Sequence, residues 1–235
     1  MTTYLLSRQV FLQVLNGHAI VLDLRANKYL SVLDCPALGN HITGWPAKTA
    51  YSCAENQVDG ESVIRELESR RILTTDSRIG KSAAPVEFLL AEEDCSDEWR
   101  NCDGALTASN VWRFLRALVQ ALFLRRCCSL AWSMHILQRR ATEGRRVQDA
   151  EDEQTIRNLT GVFLRIRPLF YSAHERCFLD SIVLLNFLNG HNKFPSLVIG
   201  VSDRPFAAHC WGQCGRCALN ELDTRTKRHR VIFVI

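Results

Sequence analysis

The sequence predicts an α+β protein in two parts, on three observations. A two-residue turn signal, Asn16-Gly17, sits between two β-prone runs near the start. Apolar-periodic segments that read as helices fill residues 110–165. Short β-prone runs broken by turn residues close the chain from 196 onward. Strands followed by helices, then helices followed by strands, give segregated layers rather than alternating βαβ units. At 235 residues the chain has room for one domain and a smaller companion.

In the first part, Val10 to Leu15 and Ala19 to Leu24 form the arms of a hairpin, and Tyr29 to Leu33 returns as a third strand. After Pro36 the signals turn helical, with a short segment from Ala37 to Ile42. A longer one runs from Glu61 to Arg71, where Val63, Ile64, Leu67 and Ile72 make an apolar stripe. Three strands and two helices suggest a winged-helix-like module over 1–75. Its exposed sheet edge can take an extended peptide as an added strand. Gly80, Pro85 and an acidic run weaken the pattern, which places a linker over 76–109. Helices are then expected over 110–126, 130–140 and 152–165 in a second domain spanning 110–235.

Composition excludes several classes. With 47% apolar and 23% charged residues the chain can build a core. Its longest greasy stretch, Ala117 to Leu124, is too short to cross a bilayer and is flanked by Arg116 and Arg125. The start, MTTYLLSRQVFLQVLNG, lacks the layout of an export signal, so the expected compartment is the cytoplasm, where the irregularly spaced cysteines stay reduced. The net charge of +4 is uneven, with acids gathered in 85–103 and eight arginines in 110–147 opposed only by Glu143. No nucleic-acid motif accompanies them, so the solvated face of a helix pair outweighs a basic binding surface.

Chemistry concentrates after residue 170. Ser172-Ala173-His174-Glu175 has the capping-box spacing that starts a helix, with Cys177 in its first turns and Asn189-Gly190 at its end. Phe178, Ile182, Leu185 and Leu188 are spaced to bury one face. A thiol near a helix N-terminus feels the positive end of the dipole, which favours the thiolate. Strands follow over 196–201, 206–213, 217–220 and 231–235, the second carrying His209. A cysteine opening a helix packed on an antiparallel sheet, a histidine on one strand and a carboxylate on the next is the layout of papain-like and transglutaminase-like enzymes. The order is Cys177, His209, then Glu221 or Asp223, with the imidazole as base and the acid orienting it.

The stretch Ala208 to Cys217, AHCWGQCGRC, also has the C-x3-C-x2-C spacing of radical-SAM enzymes. Only residues 218–235 follow it, too few for the barrel such a cluster serves. A zinc site is disfavoured because His209 and Cys210 are adjacent on a strand and point to opposite faces. The cysteines read best as filling for the back of a sheet, and no metal is expected.

The run from Cys177 through Leu197 to Val201, Pro205-Phe206, Ala208 to Trp211, Gln213 and Leu219-Asn220-Glu221 resembles the C-terminal domain of the lasso-peptide maturation B proteins, the microcin J25-processing family. That resemblance implies a transglutaminase-like cysteine protease that removes the leader of a ribosomally made precursor. The 1–75 unit is similar to the leader-recognition domain related to the coenzyme PQQ biosynthesis chaperone. Carried across, Cys177 matches the nucleophile and His209 the base. Where the family has Asn-Asp this chain has Asn220-Glu221, so Glu221 is the first choice of acid and Asp223 the second. Gly212 stands where valine is common. The leader would add along Tyr29, Leu30, Ser31, Val32 and Leu33 and the helix from 61 to 72. The resemblance also implies an ATP-using cyclase partner similar to asparagine synthetase. ATP would bind that partner, since this chain has no phosphate loop and no cofactor of its own is expected. A transglutaminase-like acyltransferase and a non-catalytic precursor-binding scaffold are the alternatives.

Overall fold

A computed structural model of the chain describes residues 3–33, 36–46, 60–95, 106–145, 153–172 and 176–235. The chain divides into two compact units, residues 1–87 with 201–206 and residues 88–200 with 207–235.

In the first unit the expected hairpin is built from β2 (Val10–Leu15) and β3 (His18–Asp23), and β4 (Lys28–Leu33) pairs antiparallel with β3. Leu15 pairs with His18 across the turn, where Asn16 and Gly17 take φ of 47° and 81°. Positive φ at both positions is what a two-residue hairpin of this twist requires and what Asn-Gly tolerates. A second three-stranded sheet, in the order β5-β1-β6, was not expected. It joins β1 (Leu5–Ser7), β5 (Leu73–Thr74) and β6 (Gly80–Lys81). Helices α1 (Pro36–His41) and α2 (Gly60–Ser69) complete the unit. Its core gathers Leu6, Val10, Leu12, Val21, Leu38, Ile42, Ile64, Leu67 and Ile72, all nearly inaccessible.

The second unit packs helices against a five-stranded sheet in the order β11-β8-β9-β10-β7. Its helices are α3 (Ala108–Cys127), α4 (Leu130–Arg145), α5 (Glu153–Ile166) and α6 (Cys177–Asn189). A short α7 (Asp223–Thr226) follows the sheet's inner strands. Thr107 caps α3, its hydroxyl accepting from the Asn110 amide at 3.2 Å. The strands are β7 (Glu93–Asp94), β8 (Ser196–Asp203), β9 (Phe206–Cys214), β10 (Cys217–Ala218) and β11 (Arg230–Val234).

Two expectations change. The 76–109 stretch is not only a connection: Gly80–Lys81 joins the first unit as β6, and Glu93–Asp94 pairs parallel with β10 as β7. Residues 96–105 lie outside the described residues. Second, α6 is buried all round rather than on one stripe, with every residue from Leu179 to Leu188 buried. It is the central helix of the unit, and a helix enclosed on all sides shows no amphipathic period.

Candidate active site

Helix α6 begins at Cys177, with Arg176 at the N-cap position and no side-chain cap. The cap expected at Ser172 is therefore four residues early, and Ala173 to Glu175 lie outside the described residues. The shift sharpens the chemistry, because Cys177 becomes the first helical residue, where N–H groups lack partners within the helix. The backbone N–H groups of Phe178 and Cys210 both serve the Cys177 sulfur.

His209 sits on β9 with its ring stacked near Trp211, the next residue on the same face, at 6.2 Å between centroids. Its Nε2 donates to Oε2 of Glu221 at 2.6 Å, with the two side chains only 12% and 15% exposed. The ring's other partner is the Cys177 sulfur. With Nε2 committed to Glu221, Nδ1 is the nitrogen that faces the thiol. Glu221 is itself held by the Leu222 amide at 3.1 Å and by Arg225 at 3.3 Å. Cys177, His209 and Glu221 thus form one chain of hydrogen bonds, in the order of a nucleophile, a base and an orienting acid. Asp223 is elsewhere: its carboxylate takes the Lys227 ammonium at 2.5 Å, and its amide donates to Asp94.

Burial pushes the Cys177 thiol up, but the His209 hydrogen bond and charge and the two backbone donors outweigh it and set the thiol below its ordinary value. Burial works against the His209 cation too, yet the bonds to Cys177 and Glu221 prevail and raise it to about 9. Glu221 falls below the usual carboxylate value despite burial, through its bonds to His209 and the Leu222 amide. The thiol is lowered while the imidazole is raised, shifts in the direction of a thiolate beside an imidazolium. His229 packs beside the ring at 5.5 Å between centroids. Burial lowers His229, despite its bond to the Arg225 carbonyl, so this neighbour is neutral and adds no repulsion to the imidazolium.

Beneath these three residues lies a polar network that the sequence reading did not single out. Asp180, one turn into α6 and 1% exposed, accepts from Arg167 at 3.1 Å, Tyr171 at 2.9 Å and Asn220 at 2.7 Å. Asn220 in turn accepts the Gly212 amide at 2.8 Å. Ser181 donates to the Cys177 and Cys210 carbonyls, tying the helix start to β9. Asn220 directly precedes Glu221, so this network fixes the acid's backbone to the nucleophile's helix. A lone Asp inside the apolar run Cys177 to Leu188 was the available signal, since a buried carboxylate requires donors.

Two glycines allow the packing. A Cβ on Gly200 would lie 2.7 Å from the His229 Cβ and 2.9 Å from the Trp211 ring. Gly212 lies against Leu184, where a Cβ would sit at 3.1 Å. The remaining cysteines of the 208–217 stretch face away from His209: Cys210 is buried against Ser181, and the Cys217 sulfur packs on that of Cys95 at 2.9 Å. Among the described residues, no group of three or more His, Cys, Asp or Glu is placed to hold a metal ion. Among those residues too, no helix is long and apolar enough to cross a membrane.

In the first unit, Tyr29 to Leu33 all lie on β4, which pairs only with β3 among the described residues. Leu30, Ser31 and Val32 of this strand line a groove of about 430 Å³ together with Val63, Glu66 and Leu67 of α2 and Arg70 just past its end.

No curated protein and no solved structure matches the chain. The model of the transglutaminase-like superfamily matches residues 117–234, half the chain, and takes in Cys177, His209 and Glu221 together. The chain belongs to the transglutaminase-like superfamily, whose fold is of the cysteine-protease and acyltransferase type.

Proposed function

We propose that this protein is a cytoplasmic cysteine peptidase that cleaves the leader from a ribosomally made lasso-peptide precursor and passes the core to a separate ATP-using cyclase. The observation that carries the catalytic half is the hydrogen-bonded order Cys177, His209, Glu221 within a transglutaminase-like domain. The Cys177 thiolate attacks the scissile carbonyl carbon, and the imidazolium of His209 gives its proton to the leaving amine as the carbon–nitrogen bond breaks. His209, now neutral, takes a proton from water, which attacks the thioester and frees the acyl group. Glu221 holds the ring in place and offsets its positive charge through both steps.

The recognition half is supported by the β4 edge and its groove. An extended leader added beside β4 would complete main-chain hydrogen bonds along the edge, and alternate side chains would enter the groove against α2. The Leu30, Val32, Val63 and Leu67 lining favours apolar leader residues there. The deciding experiment combines the chain with precursor peptide and cyclase but withholds ATP, so that a freed core stays unclosed. Wild type releases a core with a free N-terminus, while Cys177→Ala binds leader normally and cleaves nothing. Unchanged cleavage by Cys177→Ala would leave only a scaffold role, and an isopeptide product in place of a free N-terminus would assign the same triad to acyl transfer.

A further inference from the structure

The arginine-rich segment noted in the sequence has no part in the chemistry above, yet three of its members converge on one place. Arg113 and Arg116 of α3 and Arg140 of α4 line a cavity of about 440 Å³ that reaches Asn186 on α6. That volume lies in the range of small-molecule pockets, about 300–1,000 Å³.

We propose that this cavity is a binding site for a small organic oxyanion, phosphate- or carboxylate-bearing. The decisive side chain is Asn186, which is 5% exposed. Its Oδ1 accepts from Arg140 at 3.3 Å, which fixes the amide's orientation, and its Nδ2 has no partner among the described residues. A buried amide donor without an acceptor is unfavourable, and an oxyanion in the cavity supplies one. Arg113 donates to the Gly190 carbonyl at the end of α6, and Arg140 holds Asn186, but one bond leaves most of a guanidinium's five donors available. Arg116 has no acidic partner among the described residues. The acid that lines the cavity, Glu143, pairs outward with Arg139 at 3.4 Å, and three cations against one acid leave the site electropositive.

The wall is shaped as well as charged. Phe194 lies so close to Gly144 that a Cβ there would sit 2.3 Å from the ring, so glycine alone admits the phenyl group. Its neighbour in the lining, Ala117, is small and apolar. Forked donors and an aromatic ring in one lining suit a ligand with an anionic head and a flat or aliphatic body. The cavity's concavity favours such a molecule over a nucleic-acid backbone, which tracks along open basic surfaces.

The test is isothermal titration of the full-length chain with pyrophosphate and, separately, with citrate, each at matched ionic strength against sodium chloride. Saturable one-to-one binding of either probe is expected, and whichever binds tighter identifies the head group as phosphate or carboxylate. Arg116→Gln, an exposed change, should weaken binding about tenfold or more, the value of one charge-assisted hydrogen bond. Asn186→Asp, nearly isosteric, should abolish it by facing the ligand with a like charge. Should Asn186→Asp fail to fold, Arg116→Gln decides alone. Absence of saturable binding by both probes, or equal affinity in Arg116→Gln, overturns the site. Binding of duplex DNA by several protein copies with no binding of either small probe does so equally, since it shows a diffuse basic surface.

Discussion

If Glu221 stabilises the imidazolium, replacing it by glutamine must raise the pH at which Cys177 becomes nucleophilic. Glutamine keeps the size and a hydrogen bond to Nε2 but removes the charge now 2.6 Å from the ring. A hydrogen bond to a charged group contributes about 1.5–3 kcal/mol, and about 1.4 kcal/mol corresponds to one pH unit. The ion pair should therefore lose about 10–150-fold to the neutral thiol and imidazole, and thiolate then appears only at the higher pH of a thiol beside a neutral ring. Alkylation by iodoacetamide measures this without a substrate, because its rate follows the thiolate fraction and mass spectrometry reads Cys177 separately from the exposed Cys127. In wild type the Cys177 rate should rise through a pH below the ordinary thiol value. In Glu221→Gln that rise should move upward, whereas Asp223→Asn should leave it in place, since Asp223 serves Lys227. An unmoved profile in Glu221→Gln, or an equal shift in Asp223→Asn, refutes the assignment of the acid.

Peptide cleavage should fall as pH rises through about 9, because His209 then loses the proton that the leaving amine needs; a rate still climbing at pH 10 contradicts the ion pair. Asp180→Ala strands the donors of Arg167, Tyr171 and Asn220 and should destabilise by about 3–5 kcal/mol, read by thermal unfolding; Cys177 alkylation should slow in the same variant. Gly200→Ala forces a methyl group into the His229 and Trp211 contact and should cost about 1–3 kcal/mol, or roughly 2–4 °C of melting temperature per kcal/mol. Native protein should protect Cys95, Cys210 and Cys217 from alkylation until it is unfolded, since all three are nearly inaccessible.

The site was legible where chemistry restricts residue type. A cysteine opening a helix, a histidine on a strand and an acid after the next turn can be read in order, and the structure brings Cys177, His209 and Glu221 into one hydrogen-bonded chain. The Asn16-Gly17 hairpin was legible for a similar reason, because few residue pairs take two positive φ values. What escaped was decided by distant partners. The strands Leu73–Thr74, Gly80–Lys81 and Glu93–Asp94 are two residues each and carry no alternation of their own. They are strands because β1 and β10 present open backbone groups to them. The Asp180 network escaped because its donors come from two segments far apart in sequence, 167–171 and Asn220, and the helix alone gives no hint that they converge on it. The all-round burial of α6 hid behind its apolar stripe, because Asp180, Ser181 and Asn186 are buried as well.

The parallel pairing of Glu93–Asp94 with Cys217–Ala218 bears on how the chain can be divided. The two residues that follow β10 and Leu219 are Asn220 and Glu221, so β7 covers the flank of the strand that delivers the acid. A fragment starting at 110 would keep Cys177, His209 and Glu221 yet leave the β10 edge bare, open to pairing with another copy of itself. A fragment starting at Phe88 keeps that edge closed. Glu92, Glu93 and Asp94, which look like part of a tether, thus belong to the second unit, and a cut between the two units that spares β7 has to fall before them.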